Sequence, residues 1–361
     1  MSIETLSGCA CPEHQAVTRR SFISSTAALA GAAMLPGCTS MAMDAPRGPV
    51  VDVHHHYYPK ELLDAVRQAS GGNAGPPSVL KWTPAVTVEE LDRNGVNKAM
   101  LSLWSIPGGW LGSKPDGMQR FSRLSSDYGA QMVRDFPGRF GLFASLPMPD
   151  VDLSLKEIGY VFDTLKADGI GLPTNWGTMW PGDGRFNPVW EELNRRKAVV
   201  YFHPVAPNCC ANSFVPGVDD SWMEVPYDTG RAVLNMLMNG TLTRYQDIRW
   251  IFSHSGGTVP ILAERVKALG GNIPRVKQAA PRGIDYELQR LYFETANGAW
   301  RPNMAALLGY MPVSQVMFGT DYPYVTVGDN LKGLRAYGLS DADLRAIQYE
   351  NAARVLPVMK L

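Results

Sequence analysis

Eight short β-rich runs recur along this chain, each separated from the next by a longer stretch whose apolar residues repeat with helical spacing. The runs fall at residues 50–54, 99–103, 140–146, 169–173, 198–202, 250–253, 291–295 and 316–319. The helical stretches between them include 87–94, 125–135, 153–167, 188–196, 229–237, 259–269 and 303–308, and one more, 340–356, follows the last run. Such alternation predicts parallel strands joined by crossover helices, since the chain must cross back over the sheet to reach a parallel neighbour. Eight such units predict an α/β fold of the closed (β/α)8 TIM-barrel type. An open doubly wound sheet normally carries a Gly-rich phosphate loop after its first strand, and the residues after 54 have none. Two connections, 57–97 and 204–248, are longer than a βα loop requires. Both leave the C-terminal ends of their strands, where they are placed to form a lid.

The chain has 361 residues, 45% of them hydrophobic, with 34 basic and 34 acidic side chains. That balance, with no basic stripe, argues against nucleic acid as a partner, because phosphate binding draws on clustered Lys and Arg. Residues 1–47 stand apart from the rest. They carry Arg19-Arg20-Ser21-Phe22-Ile23 and then a small-residue, weakly apolar run over 24–35, the order of a twin-arginine export signal that delivers a folded protein to the periplasm. Leu35-Pro36-Gly37-Cys38 resembles a lipoprotein processing site, with Pro36 out of place in it, and would make Cys38 a lipid anchor. The domain proper is then 48–361. Only Cys209 and Cys210 of the five cysteines fall inside it, and an adjacent pair implies no disulfide framework.

Of six histidines, His14 lies in the export segment, and the other five all sit at the C-terminal ends of expected strands. His54, His55 and His56 end the first, His203 the fifth and His254 the sixth. The eighth contributes Asp321, in Phe318-Gly319-Thr320-Asp321-Tyr322-Pro323. In a barrel these ends converge on one face, where such folds keep their chemistry. Strand alternation puts His54 and His56 on one side and turns His55 away towards the helices. Neutral imidazoles with a carboxylate suit a borderline divalent cation, zinc foremost with manganese as the alternative, and His54, His56, His203 and Asp321 can supply that shell. A lone histidine at such a place is most often a hydrogen-bonded core residue. Convergence from four strands is what favours a metal.

With these residues placed, the chain resembles the amidohydrolase-related superfamily, in the branch of aminocarboxymuconate-semialdehyde decarboxylase and the decarboxylases of methylsalicylate and resorcylate. The likeness covers about residues 50 to 357. It rests on Asp52-Val53-His54-His55-His56, Phe202-His203-Pro204, Ser253-His254-Ser255-Gly256-Gly257-Thr258-Val259-Pro260, the Asp321 stretch and Asn351-Ala352-Ala353-Arg354. The resemblance implies metal ligands at His54, His56, His203 and Asp321. It further implies proton transfer by His254, with Asp321 also catalytic, a small carboxylic acid as substrate, and a homodimer. Strand four ends Gly169-Ile170-Gly171-Leu172-Pro173-Thr174-Asn175 and offers no lysine for a second metal, so one ion is expected.

The same ligands serve two reactions: decarboxylation, or hydrolysis of a lactone, ester or amide by activated water. A non-catalytic metal-binding barrel is a third reading. It leaves His254, an acid/base not needed as a ligand, without a role. Trp104, Trp110, Trp176 and Trp180 follow strands and suit either an aromatic wall for the substrate or ordinary packing. Asp228 and Arg231 read as a buried ion pair.

Overall fold

Each of the eight runs forms a strand: β1 Val51–His56, β2 Lys98–Ser102, β3 Phe140–Ser145, β4 Gly169–Pro173, β5 Val199–His203, β6 Arg249–Phe252, β7 Tyr292–Glu294 and β8 Val316–Met317. All neighbours pair in parallel, in sequence order. The ring is drawn shut between β8 and β1, where Val53 N donates to Phe318 O (3.0 Å), Asp321 N to His54 O (2.9 Å) and His56 N to Tyr322 O (2.8 Å). The expected (β/α)8 barrel is therefore the fold. The computed structural model describes residues 48–69, 77–103, 116–211, 215 and 218–361. The export segment with Arg19, Arg20 and Cys38, and the tryptophans Trp104 and Trp110, lie outside the described residues. Among the described residues no helix is long and apolar enough to cross a membrane.

The strands are buried on both faces, which is why they read as continuous apolar runs. Inside the barrel, Val51, Val53, Met100, Phe143, Val199, Tyr201, Ile251 and Met317 pack with Ala352, Val355, Leu356 and Met359 of the C-terminal segment. That segment is fixed at the N-terminal end of β2, where Lys98 Nζ donates to Val358 O (2.9 Å) and Lys360 O (2.6 Å). A larger outer core joins strands to helices. In it Trp190 meets Trp250 edge-on at 5.5 Å, and Phe202 stacks on Phe252 at 5.1 Å. Each such fully buried side chain contributes about 1.5–3 kcal/mol.

One irregularity decides how the first strand presents its histidines. Asp52 pairs with Ala99 and His55 with Leu101, so Val53 and His54 together face the single residue Met100. This β-bulge resets the alternation. Val53 packs inside the barrel, His54 and His56 follow it inward, and Asp52 joins His55 on the outer side, where His55 Nδ1 lies 2.8 Å from Asp52 Oδ2. Unbroken alternation would have put Asp52 beside His54.

Helices fill the connections with some departures from expectation. The 125–135 stretch belongs to a longer helix, Gly117–Asp135. The closing 340–356 stretch is Asp341–Arg345 and Asn351–Val355 joined by a wider π turn, Ala346–Glu350. Val327–Ala336 is an additional helix, capped by Thr326, whose side chain accepts from Asp329 N. The 57–97 connection contains Lys60–Ala69, Pro77–Leu80 and Pro84–Arg93. Thr83 caps the last of these by accepting from Val86 N, and Pro84 supplies a preset first helical φ.

Candidate metal centre

Four histidine rings and one carboxylate meet above the C-terminal ends of β1, β5, β6 and β8. His54 Nε2 is 3.0 Å from His56 Nε2, and Asp321 Oδ1 is 2.9 Å from His56 Nε2, 3.2 Å from His54 Nε2 and 3.8 Å from His203 Nε2. His254 Nε2 stands 3.4 Å from His203 Nε2. One ligand atom from each of His54, His203, His254 and Asp321 lies within 4.8 Å of all the others. His56, at its short distances from His54 and Asp321, joins the same volume.

The far side of every ring is occupied. His54 Nδ1 faces Glu294 Oε1 (2.7 Å), His56 Nδ1 faces Ser102 O (3.1 Å), His203 Nδ1 faces Pro204 O (2.9 Å) and His254 Nδ1 faces Ala296 O (3.0 Å). Those oxygens can only accept, so each Nδ1 carries the proton and donates it outward. Each Nε2 is thereby oriented into the shared volume, the arrangement that metal-binding imidazoles require. His55 is elsewhere, stacked at 4.8 Å on the Tyr322 ring and bonded to Asp52.

Electrostatics point the same way. Burial disfavours charge on His54, yet Glu294 and Asp321 outweigh it and push its pKa up to about 10. Burial lowers His56 and takes His203 well below the usual imidazole range. For Asp321 burial works upward, but His54 and the hydrogen bonds from His203, His54 and His56 hold it well below the usual carboxylate range. The cavity is built to hold positive charge against two carboxyl groups, and a divalent cation brings that charge. The donor set and its tautomers fit a metal.

Local backbone makes these placements. His254, Ser255, Gly256 and Gly257 all have positive φ, a left-handed turn that swings the His254 ring over the barrel mouth. Two glycines make it feasible, since a Cβ on Gly256 would lie 2.7 Å from the Phe293 ring and one on Gly257 only 2.3 Å from Pro226 O. His254 N donates to Glu294 Oε1 (3.0 Å), steadying the two strained non-glycine residues. Asp321 also has positive φ, 64°.

A family model described as amidohydrolase matches residues 51–358. The chain belongs to the amidohydrolase family. A 6-methylsalicylic acid decarboxylase of Penicillium expansum is 32% identical over 323 residues, covering 86% of this chain and 97% of that protein. A decarboxylase of Aspergillus niger is 31% identical over 322 residues, covering 85% and 87%. A 5-carboxyvanillate decarboxylase of Novosphingobium aromaticivorans, solved with bound manganese, superposes with a TM-score of 0.73 at 18% identity over 87% of this chain and 97% of its own.

Several residues of this amidohydrolase differ from the sequence reading. Glu294 went unmarked, although it is fully buried and ties the His54 ring to the His254 backbone. An acidic residue closing the apolar run Tyr292-Phe293-Glu294 was the available signal. Gly319 is required beside it, because a Cβ there would lie 2.1 Å from Glu294 Oε2 and 2.9 Å from His54 Cβ. The expected Asp228–Arg231 ion pair is loose at 3.9 Å. Asp228 is satisfied instead by Thr174 Oγ1 (2.5 Å), Asn175 Nδ2 (2.7 Å) and Trp180 Nε1 (2.9 Å). Trp176 packs edge-on against Phe186 at 4.8 Å, while Tyr324 stands edge-on to the His56 ring at 5.6 Å. Cys209 Sγ and Cys210 Sγ lie 2.6 Å apart.

Proposed function

We propose that this amidohydrolase is a metal-dependent carboxy-lyase that removes carbon dioxide, without oxidation, from a small aromatic or unsaturated carboxylic acid. The observation that carries the reading is the set of inward-turned Nε2 atoms around Asp321, in a chain about one-third identical to named decarboxylases over most of its length. His54, His56, His203 and Asp321 are the proposed ligands. Three imidazoles with one carboxylate suit zinc, and a relative of the same fold holds manganese. A divalent ion held there would supply Lewis-acid chemistry for an acidic substrate. His254, half-buried at the mouth, moves the proton through an intervening water, with the Asp321 carboxylate beside it as the alternative relay, taking a proton from water before it passes to the substrate. The ring carbon bearing the carboxylate gains that proton, the C–C bond breaks with its electron pair kept by the ring, and carbon dioxide leaves.

The test is a panel of hydroxybenzoates, lactones and amides offered to the purified protein, with carbon dioxide release and hydrolysis followed separately. Carbon dioxide from a hydroxybenzoate is expected, abolished by a chelator and restored by zinc or manganese, whichever element analysis finds in the protein. Hydrolysis of a lactone or amide with no carbon dioxide from any acid would replace this reading with the hydrolase one.

We propose as well that the protein is exported. The support is the Arg19-Arg20 pair and the weakly apolar run after it. Changing both arginines to lysine is expected to leave the protein in the cytoplasm, as fractionation of producing cells would show; unimpaired export would point to another signal. A homodimer, implied by the family resemblance, has the 80% exposed Trp222 and 47% exposed Tyr227 in its favour, aromatic side chains being enriched where protein surfaces meet. Cys38 remains the proposed lipid anchor.

A further inference from the structure

Asp52 is completely buried on the outer side of β1, away from the metal volume, and yet four donors converge on its one carboxyl group. Oδ1 accepts from His54 N (2.9 Å) and Thr320 N (3.1 Å). Oδ2 accepts from Thr320 Oγ1 (2.6 Å) and His55 Nδ1 (2.8 Å). Two donors belong to the bulged end of β1 and two to Thr320, the residue before Asp321.

These bonds cross-link the two segments that present His54 and Asp321. Three backbone bonds span the same gap, of which Asp321 N to His54 O at 2.9 Å joins the two ligand-bearing residues themselves, and Asn330 Nδ2 holds Thr320 O from the other side at 2.7 Å. The bulge and the left-handed Asp321 are departures from regular strand geometry that nothing in local propensity would maintain. A buried side chain accepting from both segments does maintain them. Ligand atoms must be held to within about 0.5 Å for a site to bind well, so the support behind the ligands sets affinity.

We propose that Asp52 is a positioning residue that fixes the spacing between His54 and Asp321 and, through it, the affinity for the metal. The proposal rests on the reading of those two residues as ligands. Asp52→Asn keeps the shape but turns a donor-bearing amide towards groups that are themselves donors. Thr320→Val removes one of the four bonds at nearly constant volume, together with the longer bonds that Thr320 Oγ1 gives to His54 O (3.2 Å) and accepts from Tyr322 N (3.2 Å).

The metal-free protein and both variants are titrated with cobalt(II), reading its dissociation constant and visible absorption bands, and their thermal midpoints are measured alongside. Asp52→Asn is expected to weaken cobalt binding about 10- to 100-fold and to shift the bands. Thr320→Val is expected to do the same to a smaller extent, and the double variant to fall short of the sum, as residues in one network do. Lower midpoints with unchanged affinity and bands would make the role purely structural and overturn the proposal. Should Asp52→Asn fail to fold, Thr320→Val decides on the same readings. A wild-type protein that takes up no cobalt overturns the ligand reading and this proposal together, whereas normal uptake with indifferent variants overturns only the role of Asp52.

Discussion

His254→Ala is expected to keep close to one equivalent of divalent metal while its turnover of the acid falls by about 10²–10⁴-fold, the usual contribution of a positioned acid or base. The outcome is not trivial, because distance alone allows His254 to be a ligand with His54, His203 and Asp321. His56 competes for that place at 3.0 Å from His54 Nε2 and 2.9 Å from Asp321 Oδ1. Its ring is buried, whereas His254 is half-buried on a left-handed turn at the mouth, where substrate enters. A group partly open to solvent can exchange its proton between turnovers, and a fully enclosed ligand cannot. The fall is therefore expected in kcat with KM nearly unchanged. Metal analysis beside steady-state kinetics checks it. A metal-free His254→Ala protein would exchange the roles of His254 and His56, and a loaded, fully active one would end the proton-transfer role.

The barrel and most of the site were legible because both follow from short-range pattern. Parallel strands covered on both faces must be apolar throughout, and polar residues at their C-terminal ends must converge once the barrel closes. His54, His56, His203, His254 and Asp321 were found that way, and the structure does bring their rings and carboxylate together. What escaped depends on pairing between distant segments. The bulge at Val53 and His54 exists only relative to Met100, so alternation along β1 placed its histidines without accounting for Asp52. Glu294 looked like one acid in an apolar strand, since the ring it serves lies 240 residues away in sequence. Asp228 suggested Arg231 by helical spacing, yet Thr174 and Asn175, at the end of β4, reach it more closely. The helix Val327–Ala336 was missed, although Thr326 and Asp329 carry its capping signal.

Loss of charge at the centre of the site is expected to be costlier than loss of any support around it. Asp321→Asn is expected to retain no metal after dialysis and to show no turnover above background. Asparagine is the right probe because Asp321 sits at φ 64°, a conformation that Asn tolerates and Ala does not. The substitution therefore changes charge with little change of backbone. Asp321 Oδ1 is the acidic oxygen that faces His54, His56 and His203 together. Without it a doubly charged ion would have to sit among buried neutral rings, and desolvation of an unpaired buried charge costs several kcal/mol. Glu294→Gln supplies the contrast. Glu294 reaches the site through His54 Nδ1 and the His254 backbone N–H and offers no atom to the ion itself, so its amide is expected to cost about 10- to 100-fold in metal affinity and to leave measurable activity on adding excess metal. Metal content after dialysis should thus rank wild type above Glu294→Gln and Glu294→Gln above Asp321→Asn. An Asp321→Asn protein that holds its metal as firmly as wild type would remove the carboxylate from the ligand set and leave the four imidazoles to hold the ion alone.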